Sequence, residues 1–93
     1  MNFNIKGKQM SEQIVRTTKQ LGAVLRRVRK KAGLTQSHLG RNIHLRQATV
    51  SRLEAGEPSM YLQTLMDALA ALNLELVIRQ RTTGGSVEIE ELF

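Results

Sequence analysis

The chain has 93 residues, 41% hydrophobic and 24% charged, which suits one small domain with a limited core and argues against a disordered polymer. It has no cysteine, so disulfides and thiolate metal sites are excluded and a reducing compartment is the simplest setting. The net charge is +6, no apolar run approaches the roughly 20 residues of a membrane span, and Met1–Lys6 lack the apolar stretch of a secretory signal. A soluble, cytoplasmic protein is expected.

Charge is distributed unevenly. Between Gln13 and Leu53 stand Arg16, Lys19, Arg26, Arg27, Arg29, Lys30, Lys31, Arg41, Arg46 and Arg52, with no acid among them. All the acids except Glu12 lie at Glu54 or beyond. A one-signed field of this kind suits a polyanion, although most charge runs are only a solvated surface.

Residues 1–16 form a weakly specified arm in which Phe3 and Ile5 alternate with polar neighbours, as in a short strand. The first firm helix spans Thr18–Lys31. Thr17 or Thr18 can cap it, and Leu21, Val24, Leu25, Val28 and Ala32 make its apolar stripe. Gly33 ends it, and Thr35 caps a second helix over residues 36–43. Gln36 then sits in a first turn, where a side-chain amide and free backbone N–H groups are available to a phosphate.

The segment 35–54 is the most informative part of the chain. Leu39 and Ile43 share one helical face, Leu45 plugs a turn, and Val50 and Leu53 pin a third helix near Arg46–Ala55. Gly40 leaves room for a close crossing. The outward set Arg46, Gln47, Ala48, Thr49, Ser51 and Arg52 is suited to base edges and phosphates. The spacing predicts a helix-turn-helix with its recognition helix at 46–55.

Ala55–Ser59 carries a Gly and the sole Pro, marking a break. Ser59 is a candidate cap for a fourth helix over 60–72, whose stripe is Leu62, Leu65, Met66, Leu69 and Leu72. That stripe reads as core and not as a cofactor box. Asn73 can take the left-handed conformation that closes a helix.

Residues 74–81 alternate and are β-branched, which predicts one strand. A lone strand needs a partner: its own chain offers only the Phe3–Ile5 arm, and a two-fold dimer sharing this strand through Leu76, Val77 and Ile78 is the economical solution. Residues 82–93 combine a linker composition with an acidic tail. A frayed terminus is one reading of that tail; a docking peptide anchored by Leu92 and Phe93 is the other.

Catalysis has no support in the residue pattern. His38 and His44 lack a nearby cysteine or helix-spaced acid for a metal. Ser37, Ser51 and Ser59 lack a His/Asp arrangement, and no Gly-rich phosphate loop occurs. No enzyme activity, metal or cofactor is expected.

On the run LRRVRKKAGLTQSHLGRNIHLRQATVSRLEAGEPSMYLQTLMDALAAL, the segment from about Lys19 to Leu76 resembles the Xre/Cro-type helix-turn-helix family of phage and bacterial repressors. The strand, the tail, Thr35-Gln36-Ser37 and Arg46-Gln47-Ala48-Thr49-Val50-Ser51 resemble more narrowly the HipB-like antitoxins, which partner HipA-type Ser/Thr kinase toxins. The resemblance implies an all-α, lambda-repressor-like bundle of four to five helices, with the C-terminal strand forming an intersubunit sheet in a homodimer.

It also implies an autorepressor that binds a palindromic double-stranded DNA operator, with Gln36, Ser37, Arg46, Gln47, Ala48, Thr49, Ser51 and Arg52 facing the duplex. Arg29 and Glu54 match a charged pair that holds the fold in that family. His44 departs from the family, which usually has Gly at this turn because the backbone needs positive φ. Two alternatives stay open: a stand-alone phage-type or metabolic repressor without a toxin, and an adaptor of the same fold that binds protein or RNA.

Overall fold

The computed structural model describes residues 11–82. Four helices follow in order: α1 (Thr18–Lys31), α2 (Gln36–Asn42), α3 (Gln47–Glu54) and α4 (Leu62–Ala71). The expected strand at Phe3–Ile5 and the tail anchors Leu92 and Phe93 lie outside the described residues.

Each helix starts or stops for a local reason. Thr17 Oγ1 accepts the Gln20 N–H at 3.0 Å, and Thr35 Oγ1 accepts the His38 N–H at 3.0 Å, so both threonines are N-caps. All four helices close with a left-handed residue just past the C-cap: Gly33 (φ 77°), His44 (φ 60°), Gly56 (φ 81°) and Asn73 (φ 60°). In each case the next residue donates back to the last turn. Leu34 N–H reaches Arg29 O at 3.2 Å, Leu45 reaches Gly40 O at 2.7 Å, Glu57 reaches Arg52 O at 3.1 Å, and Leu74 reaches Leu69 O at 2.8 Å. These are Schellman closures, which satisfy carbonyls that a helix end otherwise leaves open. Leu34 and Leu74 then pack on the core.

The core consists of Leu25, Leu39, Val50, Leu53, Ala68, Leu69 and Leu72, so every helix contributes to it. Two glycines set how closely the helices approach. A Cβ on Gly40 would lie 2.6 Å from the Leu45 carbonyl oxygen, so the α2–α3 turn folds directly onto α2. A Cβ on Gly22 would run into the Glu54 carbonyl oxygen and lie 2.8 Å from that of Leu53, so the end of α3 rests on the backbone of α1. Side chains at either position would drive these helices apart.

Several expectations need correction, whereas the strand expected at 74–81 simply has no partner among the described residues: no other strand occurs there to supply its hydrogen bonds. Leu76, Val77 and Ile78 stand exposed there. Ser59 does not cap α4, which begins at Leu62 behind an uncapped Tyr61. Leu62 and Met66 are exposed, and the buried side of α4 is Thr64, Ala68, Leu69 and Leu72. The helix is apolar over a wide arc, and so small a body covers only part of it. Ala32 is the exposed C-cap of α1, outside the apolar stripe.

Candidate nucleic-acid interface

The central feature is a buried ion pair. Arg29 from α1 and Glu54 from the end of α3 are 6% and 7% exposed, respectively. The guanidinium grips the carboxylate at two points, Nε to Oε2 at 2.5 Å and Nη2 to Oε1 at 3.0 Å. Its remaining nitrogen, Nη1, donates to the Leu34 carbonyl at 2.6 Å. The hydrogen bond to Glu54 raises the Arg29 pKa above the ordinary guanidinium value, against the opposing effect of burial, and the charge of Glu54 adds to the increase. Stability that depends on this cation is therefore complete at neutral pH and is lost only in strong alkali, as pH climbs through the raised value.

The pair reaches outward through two amides. Gln36 Nε2 donates to Glu54 Oε1 at 3.1 Å, and Gln36 Oε1 accepts from Gln47 Nε2 at 2.5 Å. Gln36 is half-buried, whereas Gln47, the first residue of α3, is exposed. A chain of polar contacts thus runs from the interior to the head of α3. The bond to Gln36 uses one Gln47 N–H, leaving its side-chain carbonyl oxygen and second N–H without a hydrogen-bond partner among the described residues.

The other predicted residues divide by position. Val50, Leu53 and Glu54 are the buried side of α3. At about 100° per residue, Ala48 and Arg52 fall on the opposite arc, while Gln47 and Ser51 lie on the flank next to Glu54; all but half-buried Ser51 are exposed. Thr49 is half-buried on the other flank, apart from Gln47. Arg46 is the exposed N-cap of α3 and makes no capping bond with its side chain. Ser37 is exposed in the first turn of α2. Arg52 lies 3.6 Å from Glu57 in a solvent-facing pair that contributes little to stability. Among the described residues no group of acids and histidines could hold a metal, and no helix is long and apolar enough to cross a membrane.

The role of Gly22 was missed in the sequence. A glycine inside an otherwise good helix costs roughly 1 kcal/mol against alanine, which is the signal that a close backbone approach offsets it. Glu12–Arg79 at 3.0 Å and Arg16 Nη2 to Thr82 O at 2.8 Å also went unanticipated, because such exposed contacts have no spacing signature.

A family model described as a helix-turn-helix domain matches residues 20–79. Antitoxin HipB of Escherichia coli strain K12 is 33% identical over 69 residues, covering 74% of this chain and 78% of its own length. The chain belongs to the helix-turn-helix family that includes the HipB antitoxins. Antitoxin HipB of E. coli O6:H1 matches equally, at 33% identity over 69 residues and 73% of its length. Among solved structures, HipB in a HipB–O4 20mer complex superposes with a TM-score of 0.72 at 30% identity, covering 76% of this chain and 100% of that one. A chain of a HipA–HipB–O2–O3 complex does so with a TM-score of 0.71 at 30% identity, covering 76% of this chain and 100% of that one.

Removing one member of a buried ion pair strands the other charge. Glu54→Gln should lower unfolding stability by about 3–5 kcal/mol, a large share of the roughly 5–15 kcal/mol typical of a folded domain. Urea denaturation followed by circular dichroism measures it, and a loss below about 1 kcal/mol contradicts the structural role.

Proposed function

We propose that this chain is a sequence-specific DNA-binding autorepressor and the antitoxin of a HipA-type kinase toxin, reading a palindromic operator as a dimer. The observation that carries this reading is the Gln36–Gln47 amide pair, held on a buried ion pair and presented at the head of an exposed α3. The sequence relationship to HipB, and the HipB complexes carrying operator fragments and HipA, support it.

The chemistry follows from the donors left free. Gln47 retains an acceptor and a donor side by side, the pattern that matches adenine N6 and N7 in the major groove. Ala48 offers a methyl to thymine, and Ser51, on the Gln47 flank, reaches the same groove. Arg46 and Arg52 hold phosphates or guanine, while Thr49 and the first-turn residues Gln36 and Ser37 position the backbone. Nothing in this arrangement asks for catalysis, a metal or a cofactor. The protein works in the cytoplasm, where its operator is.

Residues 17–73 form the DNA-binding unit in this reading, 1–16 an arm, 74–81 the dimerisation strand and 82–93 the toxin-facing tail, with Leu92 and Phe93 as its anchors. The dimer accounts for apolar surface that one chain leaves open: Leu76, Val77 and Ile78, and Tyr61, Leu62 and Met66 on and before α4. Pairing two copies of 74–81 supplies the hydrogen bonds that a lone strand lacks.

Gln47→Ala with Ser51→Ala should weaken binding to the chain's own promoter by about 1–3 kcal/mol per lost base contact, while binding to scrambled duplex is unchanged. Fluorescence anisotropy checks this, and equal affinity before and after substitution contradicts base reading by these side chains. Deleting Leu76–Ile78 should give monomers by sedimentation, with poor operator affinity; a dimer that survives the deletion places the interface elsewhere.

A further inference from the structure

Among the described residues, four cations cluster on the outer face of α1, beside the C-terminal end of α3. Ala23, Arg26, Arg27, Lys30, Lys31 and Glu54 line an open groove of about 490 Å³. The four cations are all exposed. None is ion-paired among the described residues, where the pairs are Arg29–Glu54, Arg52–Glu57 and Arg79–Glu12. Arg27 donates to Gln13 Oε1 at 2.8 Å, a neutral partner. The single acid of the groove, Glu54, is already committed to Arg29 and Gln36.

This arrangement works against the helix that carries it. Arg26 with Lys30, and Arg27 with Lys31, are like charges four residues apart, a spacing that destabilises a helix. The dipole favours Lys30 and Lys31 in the last turn but does less for Arg26 and Arg27. A polyanionic ligand supplies the missing counter-charge.

We propose that this groove grips the phosphate backbone of the duplex beside the base-reading face, adding contacts that do not depend on base sequence. The proposal rests on the DNA-binding reading above and assigns that interface a second surface. Continuity identifies the occupant. Glu54 lines the groove and is bonded to Gln36 at 3.1 Å, and Gln36 holds Gln47 at the head of α3, so groove and reading head adjoin. Residues four apart stand about 5–6 Å from each other on a helix, which lets Arg26 and Lys30 engage neighbouring phosphates of one strand. The duplex presents roughly one negative charge per 1.7 Å of axis, a denser and more regular row than Glu88, Glu90 and Glu91 of this chain can offer.

The test uses the full chain with Arg26→Gln and Lys30→Gln, titrated into duplex from its own promoter and into scrambled duplex between 50 and 200 mM salt. The slope of log affinity against log salt should become shallower by about 0.9 for each lost phosphate contact, on both duplexes alike. Two lost contacts make the fall in affinity across that range about twelvefold smaller than for the unaltered chain. Thermal melting checks the fold, and removing like-charge pairs should leave the midpoint unchanged or higher. If that variant does not fold, Arg27→Gln with Lys31→Gln takes its place.

An unchanged slope in a folded variant overturns the proposal. An unchanged slope accompanied by tighter binding after Glu88→Gln, Glu90→Gln and Glu91→Gln assigns the groove to the acidic segment instead, and overturns it equally. Gln47→Ala separates this outcome from failure of the base-reading account. If that change leaves promoter affinity intact while the groove variant flattens the slope, base reading fails and the phosphate grip stands.

Discussion

The bidentate contact between Arg29 and Glu54 is the constraint on which the rest of this structure depends. Two charges taken out of water incur a desolvation penalty that their attraction repays only with good geometry and further hydrogen bonds. Here both conditions hold. The carboxylate takes two guanidinium bonds and one from Gln36, the third guanidinium nitrogen meets the Leu34 carbonyl, and no buried side-chain polar atom among the described residues lacks a partner. A leucine pair could fill the same space at no loss of stability. What it could not do is hold α1, the α1–α2 connection, α3 and the Gln36 amide in one register. The pair is therefore best understood as a positioning device, with its consequences at the surface.

Those consequences require tight geometry on the backbone side as well. Gly22 admits the last carbonyls of α3 against α1, and Gly40 admits the turn against α2. Left-handed residues at 33, 44, 56 and 73 end each helix abruptly and send the chain back across the core. His44 takes this conformation without glycine's freedom and bears some strain, which the short bond from Leu45 to the Gly40 carbonyl helps to hold. The short α2 and α3 are marginal helices by themselves, and packing with capping makes them rigid enough to present side chains.

Much of this was legible in the residues. Thr17, Thr35, Gly33 and Asn73 marked helix ends by capping chemistry that acts within a few positions, and all four do so. The apolar spacing of Leu39, Val50 and Leu53 located the crossing of α2 and α3. Where an element's fate depends on distant surface, residue spacing alone does not decide it. Leu62 and Met66 belong to the helical stripe of α4 by spacing, but which part of a wide apolar arc is covered depends on the size of the body beneath it. Residues 74–81 have strand composition, yet a strand forms only when another supplies the hydrogen bonds. At the interface, residue types were legible and their couplings were not: the pattern pointed to Gln36 and Gln47 separately, and only the folded geometry joins them through one hydrogen bond.

The central claim is that the interior ion pair orients the reading head, and replacing it by an apolar pair tests this most directly. Arg29→Met with Glu54→Leu keeps the volume filled and should fold with similar stability, so the effect on DNA is read without unfolding. The account predicts that promoter affinity then falls about tenfold, roughly 1.4 kcal/mol, and that Gln47→Ala added to this background costs much less than it does alone. A folded double variant that binds its promoter as the unaltered chain does, with the Gln47 contribution intact, would contradict it.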